Sequence, residues 1–117
     1  MDANTYITTR MNEAIQLKRN GKFDEASDIY CELNIRFSDH PGILKSWAKI
    51  SVCQFKYNQA IEKFELAICL YENFNNQQEI FQCRDQISTI KNRFNNPSTF
   101  TQYYRAVCGQ FNATPQL

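Results

Sequence analysis

Apolar residues recur along this chain at the three- and four-residue spacing that is typical of amphipathic α-helices. In the clearest stripe, which predicts a helix over about residues 23–37, they are Phe23, Ala26, Tyr30, Leu33 and Phe37. This spacing places the apolar side chains on one face of a helix. Comparable stripes predict helices over residues 5–20, 41–54, 57–73, 77–94 and 97–111. Because no stretch alternates apolar and polar residues as a strand would, we expect an all-α fold of about six helices.

Glycine, proline and asparagine separate the predicted helices. Gly21 follows the first stripe, where it can adopt the left-handed conformation that commonly ends a helix. Pro41 fits the first position of the third helix, where its missing N–H costs no hydrogen bond. We expect a single helical domain over residues 1–111 and a flexible C-terminal tail over residues 112–117.

One motif occurs twice, 34 residues apart, in the second and fourth predicted helices. The equivalent positions are Phe23 with Tyr57, Ala26 with Ala60, Tyr30 with Phe64, Leu33 with Ala67 and, upstream, Ala14 with Ala48. The small residues allow helix backbones to approach closely, and the aromatic residues fill the gaps between successive helix pairs. A fixed offset of this length is typical of stacked helical repeats.

The pattern resembles the tetratricopeptide repeat family. The matching residues are Ala14, Gly21, Phe23, Ala26 and Tyr30 in one unit, and Leu44, Trp47, Ala48, Tyr57, Ala60, Phe64 and Ala67 in the next. The resemblance covers residues 7–74, and the sequence departs from the family pattern at Arg10, Glu13, Leu33 and Phe55, the last of which replaces the turn glycine. The resemblance implies antiparallel helix-turn-helix pairs stacked as a short α-solenoid, with residues 75–111 as a degenerate third pair. The alternative is an amphipathic bundle that matches by chance.

Length and charge narrow the class of protein. The 117 residues fit one domain, and 13 Lys and Arg against 12 Asp and Glu give a net charge of +1. Helical repeats that bind single-stranded RNA need a strong basic excess, so nucleic acid is not an expected partner. The sequence has no run of about 18 apolar residues and no signal-peptide pattern, so we expect no membrane association.

The cysteines point to a compartment. Cys31, Cys53, Cys69, Cys83 and Cys108 form no CxxC pair and lie in helical stripes beside apolar residues. We expect them to be buried free thiols that pack as small hydrophobic side chains. Free thiols suit a reducing environment, so the expected location is cytoplasmic.

The sequence does not group the residues of a catalytic or metal site. The single histidine, His40, lies in a break between helices with no second histidine or clustered cysteines nearby. A metal site would need several such ligands, and a nucleophilic Cys–His pair would need His40 beside a core cysteine. No glycine-rich phosphate loop occurs. We therefore expect no enzyme activity and no cofactor.

The family resemblance implies a concave groove, lined by the first helix of each pair, that holds a partner peptide. The positions it assigns to the groove are Thr8, Met11, Ile15, Lys18, Arg19, Lys45, Lys49, Val52 and Cys53. Chaperone-binding members clamp a C-terminal carboxylate with Lys and Asn residues, whereas the corresponding positions here are Met11, Ile15, Ser46, Asn76 and Ile80. The remaining mixture of cationic and apolar side chains favours an acidic peptide or helix with an apolar anchor.

The last stripe is rich in aromatic residues. Its members are Phe100, Tyr103, Tyr104, Val107 and Phe111. We expect it to pack on the fifth helix, over Ile80, Ile87 and Phe94, and so complete the third pair. The alternative is that it pairs with a second copy of the chain or with a partner subunit. Two functions follow: an adaptor that binds a partner protein in the groove or, alternatively, a structural subunit docked in a larger assembly through this aromatic helix.

Overall fold

The structure is a computed structural model, and it describes residues 2–117. It contains six α-helices: α1 (Ala3–Arg19), α2 (Phe23–Arg36), α3 (Pro41–Cys53), α4 (Tyr57–Glu72), α5 (Gln77–Lys91) and α6 (Pro97–Cys108). Within residues 2–117 there is no strand, so the predicted all-α fold of six helices is confirmed. No helix in this part of the chain is long and apolar enough to cross a membrane.

Polar side chains begin three of the helices. The Asp2 carboxylate accepts a hydrogen bond from the Thr5 N–H at 2.8 Å, and the Asn76 side chain accepts one from the Glu79 N–H at 3.3 Å. His40 Nδ1 accepts from the Ile43 N–H at 3.2 Å, immediately before Pro41. Each cap satisfies a backbone donor that has no partner within its helix. The single histidine therefore has a structural role at the start of α3.

The 34-residue repeat is also visible in the backbone of the turns. Gly21 and Phe55 occupy equivalent positions, and both have positive φ angles, 75° and 63°. The residue after each closes the preceding helix in the same way: the Lys22 N–H donates to the Leu17 carbonyl at 2.9 Å, and the Lys56 N–H donates to the Ser51 carbonyl at 2.8 Å. This is the Schellman arrangement that ends many helices. Both turns therefore have the same geometry although only one contains glycine.

Helices α1 to α5 pack mainly against their neighbours in the chain and form a flat molecule of 44 × 33 × 19 Å. The repeat alanines Ala26, Ala60 and Ala67 are fully buried, as close packing of helices requires. Two groups of buried residues form the core, one between α1, α2 and α3 and the other between α3, α4, α5 and α6. Phe23 and Trp47 contact both groups and so join them into one domain.

Helix α6 does not pack against α5 in the way expected of a third helix pair. It packs more extensively on α3 than on α5, although α5 directly precedes it. Phe94, which was expected to receive it, lies beyond the end of α5 and is 66% exposed. The aromatic rings at the α3–α4 turn receive α6 instead, because Tyr57 and Phe55 lie against Phe100 and Tyr104. Helix α6 does contact α5, where the Tyr103 hydroxyl bonds Gln86, but the predicted packing over Phe94 was wrong.

A disulfide joins Cys53, the last residue of α3, to Cys108, the last residue of α6. The prediction of five free thiols was therefore wrong for these two residues. Among the other three, Cys83 is buried, Cys31 is half-buried and Cys69 is exposed. Cys69 fails the expectation of burial because it lies on the outer side of α4.

The C-terminal residues contact the helices. Pro115 is buried, the Arg105 guanidinium donates to the Ala113 carbonyl at 3.1 Å, and the Arg93 guanidinium donates to the Leu117 carbonyl at 2.8 Å. The Tyr57 hydroxyl also donates to the Gln116 carbonyl. These contacts place residues 112–117 on the surface near the start of α4. The expected flexibility of this tail stays a prediction.

Candidate functional site

Helices α3 and α5 contact each other through two residues that are related by the 34-residue offset of the repeat. Lys45 on α3 contacts Glu79 on α5, and the two residues are 34 positions apart. The repeat offset therefore continues into α5, although the sequence motif itself ends before that helix. In this arrangement α1, α3 and α5, the first helices of the successive pairs, lie near one another and line one cavity. We call the faces that line it the inner faces.

These helices enclose an open cavity of about 420 Å³ that α6 borders on one side. Its lining comes from four helices: Lys18 of α1, Lys49 of α3, Phe81, Gln82, Asp85 and Gln86 of α5, and Tyr103, Ala106 and Val107 of α6. Phe81 is 71% exposed, so its ring is open to a ligand. The cavity combines apolar and aromatic side chains with two cations and one carboxylate, as expected of a site for a side chain or peptide.

Lys18 and Lys49 supply the positive charge of this cavity. Burial lowers the pKa of both lysines, and the charge of Lys49 lowers the pKa of Lys18 further. Within residues 2–117 neither ammonium group forms a salt bridge, although Asp85 lines the same cavity. Two half-buried cations without a paired carboxylate create a positive potential that an anionic ligand would relieve.

Lys45 is already neutralised inside the molecule. Its ammonium group forms an ion pair with Glu79 and donates a hydrogen bond to the Gln82 side-chain oxygen at 2.9 Å. The Lys45 side chain is only 14% exposed, so this pair is shielded from solvent. Lys45 therefore orders the contact between α3 and α5, and a ligand would have to break that pair to use it.

The other predicted groove residues have different environments. Met11 is half-buried, Ile15 is 36% exposed, and Thr8 and Arg19 are exposed, so all four can contact a ligand. Val52 is fully buried, and Cys53 is buried in the disulfide. The last two are unavailable because α6 covers the end of α3, which the sequence left open as groove.

The predicted docking stripe of α6 is divided between the core and the cavity. Phe100 and Tyr104 are buried, whereas Tyr103 and Val107 are half-buried and line the cavity. The Tyr103 hydroxyl donates to the Gln86 side-chain oxygen on α5 at 3.0 Å. Phe111 lies outside the stripe, because α6 ends at Cys108 with Gly109 in the left-handed conformation, and it is 88% exposed.

Sequence reasoning did not assign Phe81, Gln82 or Asp85 to the site. The 34-residue offset carries a signal that could have found Gln86 and Glu79, because it relates them to the predicted groove residues Val52 and Lys45. Phe81 offers no such signal, since an exposed aromatic residue on a helix is recognised only once its neighbours are known. The site can bind through charge and apolar contact. Within residues 2–117 no group of three His, Cys, Asp or Glu residues is placed to hold a metal ion.

Comparisons with known proteins found no match to this chain. No family model matches the chain, and neither a search of curated proteins nor a search of solved structures finds a match. The likeness to tetratricopeptide repeats therefore stays a resemblance carried by the repeat residues. Inferences about function depend on the geometry of the cavity.

Proposed function

We propose that the protein is a non-catalytic adaptor that binds an acidic peptide or helix of a partner protein in the groove of α1, α3 and α5. The observation that carries the proposal is the presence of Lys18 and Lys49, half-buried and without a salt bridge, beside the exposed ring of Phe81. A partner carboxylate would neutralise the two lysines, and an apolar side chain would cover the ring.

The size of the cavity supports a peptide side chain as the anchor. About 420 Å³ falls within the range of small-ligand pockets, but the cavity is open. On α1, Ile15 and Met11 precede Lys18 by three and seven positions, which places them on the same helix face. A bound segment that extends beyond the cavity along this face of α1 would meet Ile15 and then Met11. Asp85 at the rim would disfavour a second carboxylate close to α6, and so would give the bound segment a direction.

The alternative function, a structural subunit docked through α6, finds less support. Phe100 and Tyr104, two of its five proposed docking residues, are buried against the α3–α4 turn. Only Phe111 of that set is largely exposed. In this conformation α6 offers a partner little of its aromatic stripe.

A cytoplasmic, reducing location stays part of the proposal. Three cysteines, Cys31, Cys69 and Cys83, are unpaired, as they would be in such a compartment. The disulfide between Cys53 and Cys108 does not fit a permanently reduced protein. Where intracellular proteins contain disulfides, these are commonly transient or redox-sensing.

Fluorescence anisotropy with labelled short peptides tests the proposed function. One peptide carries glutamates on both sides of a leucine, and its twin carries glutamines instead. We expect the acidic peptide to bind more tightly than its twin, with an affinity that falls as salt is added. Lys18→Glu with Lys49→Glu should weaken binding by about tenfold or more, equivalent to about 1.4 kcal/mol. Lys45 is left unchanged, since its reversal would also place two carboxylates together.

The matched control is Lys22→Glu with Lys91→Glu. Both residues are exposed and lie outside the cavity, and the change in net charge is the same. The control should bind the acidic peptide as the unmodified protein does. Equal weakening in both double variants would attribute binding to net charge and reject the groove. Equal binding of the glutamine twin would reject the acidic partner.

A further inference from the structure

Two glutamines of α5 have hydrogen-bond donors left over in the cavity between α1, α3, α5 and α6. Gln82 and Gln86 are four positions apart on one helix face, and both are half-buried and line the cavity. The Lys45 ammonium group can only donate, and it donates to the Gln82 oxygen at 2.9 Å. The Gln86 oxygen accepts from the Tyr103 hydroxyl at 3.0 Å. With both oxygens engaged, the NH₂ groups are what these side chains can offer a ligand.

The more buried part of the cavity therefore contains several donors. Lys18 and Lys49 are half-buried, can only donate, and form no salt bridge within residues 2–117. The two glutamine NH₂ groups add to them. The Asp85 carboxylate also lines the cavity, but this residue is exposed and lies four positions after the exposed Phe81, on an outer strip of α5. An acceptor-rich ligand would meet the donors before the carboxylate of the strip concerned it.

The positive charges in this region repel one another. Burial and then the charge of Lys49 lower the pKa of Lys18, and burial and then the charge of Lys45 lower the pKa of Lys49. Glu79 acts on Lys49 in the opposite direction, but its carboxylate is paired with Lys45. A ligand with a single negative charge balances one of the two cavity lysines, whereas a doubly charged group balances both.

We propose that the cavity binds a phosphorylated side chain of the partner protein, with an apolar residue beside it that covers the Phe81 ring. This inference rests on the proposed function and names the acidic group of the partner. A phosphoryl group has a charge of about −1.5 to −2 at pH 7 and three strong acceptor oxygens. It can accept from Lys18, Lys49 and a glutamine NH₂ group together. A carboxylate has one charge and two oxygens, so it satisfies fewer of these donors.

Phe81 favours a phosphorylated peptide over free phosphate. Its ring lines the cavity and is 71% exposed, and inorganic phosphate would leave it uncovered. An apolar side chain next to the phosphorylated residue would remove that ring from water. Asp85, on the same outer strip, would repel a second phosphoryl group. A segment with one phosphorylated residue and one apolar neighbour fits this arrangement best.

Anisotropy of three labelled peptides with the full-length protein tests the proposal. The peptides share a leucine and differ only at the position beside it, which is phosphoserine, glutamate or serine. We expect the phosphoserine peptide to bind about tenfold more tightly than the glutamate peptide at about pH 7.5, the gain of one additional charge-assisted hydrogen bond. This preference should shrink at about pH 5, because the phosphoryl group then loses its second charge.

Gln86→Met tests the contribution of an amide donor. The variant loses the NH₂ group at similar side-chain length, so the preference for phosphoserine over glutamate should fall by about threefold or more. Tyr103→Phe is the matched control, since it loses the same hydrogen bond between α5 and α6 but keeps the NH₂ group, and it should keep the preference. Full preference in Gln86→Met, or equal loss in both variants, would overturn the assignment of the donors.

The peptide series separates this inference from the proposed function. Equal affinity of the phosphoserine and glutamate peptides would overturn the inference and leave an acidic partner in place. Equal affinity of all three peptides would reject both. Inorganic phosphate should displace the phosphoserine peptide only in large excess, because it does not contact Phe81. Displacement by an equimolar amount would assign the cavity to free phosphate and overturn the assignment to a partner protein.

Discussion

Gly21 and Phe55 both have the positive φ angle that their turns require, although only Phe55 has a side chain. Each follows a helix in the left-handed conformation, where an L-residue with a Cβ atom is strained by about 1 kcal/mol. Glycine avoids the strain. Phe55 accepts it, and its ring stacks on Tyr104 and lies near Tyr57. Phe55, which replaces the turn glycine of the repeat pattern, therefore also contacts α6.

Substitutions at these two positions measure the strain. Phe55→Ala loses the ring but keeps the strained backbone, whereas Phe55→Gly loses both. We expect the glycine variant to be more stable than the alanine variant by about 1 kcal/mol in urea unfolding. Gly21→Ala should cost a similar amount, because no atom lies within 4 Å of the added Cβ and only the conformation opposes it. An alanine variant at Phe55 as stable as the glycine variant would show that the turn is unstrained.

The lysines of the cavity predict a pH dependence. Burial and neighbouring charge lower the pKa of Lys18 and Lys49 below the usual 10.5. As pH rises through the lowered pKa values, both lose charge and the affinity for an acidic peptide should fall. The free energy of unfolding should rise over that interval, because these lysines bind protons less readily in the folded than in the unfolded state.

Arginine substitution separates this effect from general alkaline unfolding. Lys18→Arg with Lys49→Arg keeps both charges, since the guanidinium stays protonated. Peptide affinity of this variant, measured by anisotropy, should stay level across the pH range in which the unmodified protein weakens. A parallel decline in both proteins would assign the pH dependence to other groups.

At the scale of elements, the sequence predicted the positions of the helices better than it predicted which helices pack together. Apolar spacing defines which face of a helix is buried, and it identified all six helices, four of them with both ends within two residues. Apolar spacing does not indicate which element covers that face, so α6 was predicted to pack on α5, the helix that precedes it. Phe111 was assigned to α6 because it continues the spacing, but Gly109 ends the helix first. Such outcomes depend on contacts between residues far apart in the chain.

The disulfide escaped prediction for a related reason. Cys53 and Cys108 are 55 residues apart and share no motif, so only the docking of α6 brings them together. The same applies to Val52, which the repeat pattern assigns to an open groove and α6 closes off. By contrast, Lys18 and Lys49 were predicted as groove residues, because the positions of α1 and α3 follow from the repeat.

Removal of the disulfide tests its contribution to stability. Cys53→Ser with Cys108→Ser opens a loop of 55 residues, and the loop-closure model gives a loss of about 4 kcal/mol. Urea unfolding without reductant should show that difference, and a dithiol should reduce the stability of the unmodified protein to near that of the variant. A dithiol that leaves the unmodified protein unaffected would mean that the two cysteines are not paired.

At the scale of the whole molecule, the repeat register organises the packing. Ala26 and Ala60 occupy equivalent positions, both fully buried, and Lys45 and Glu79 extend the same offset to α5. The register explains why two turns of different sequence have the same geometry. It also sets the inner faces of α1, α3 and α5 side by side, which creates the cavity of Lys18 and Lys49.

A charge at a buried repeat position tests the register. Ala60→Asp should destabilise the fold by about 3–5 kcal/mol, because an unpaired carboxylate would be buried. Gln59→Asp is the matched control: it adds the same charge at the exposed neighbouring position and should change stability by less than about 0.5 kcal/mol. Thermal unfolding followed by circular dichroism measures both. Equal melting temperatures for the two variants would show that the register is wrong.

The most direct test of the proposed function maps the binding surface residue by residue. The full-length protein, labelled with ¹⁵N, is titrated with the acidic peptide, and amide chemical shifts are followed by NMR. The binding account predicts that the shifts concentrate on α1, α3 and α5, around Lys18, Lys49 and Phe81, and that the Lys18→Glu, Lys49→Glu variant needs about tenfold more peptide, or more, to reach the same shifts. Shifts concentrated on α2 and α4, or the same peptide concentration dependence in that variant, would contradict it.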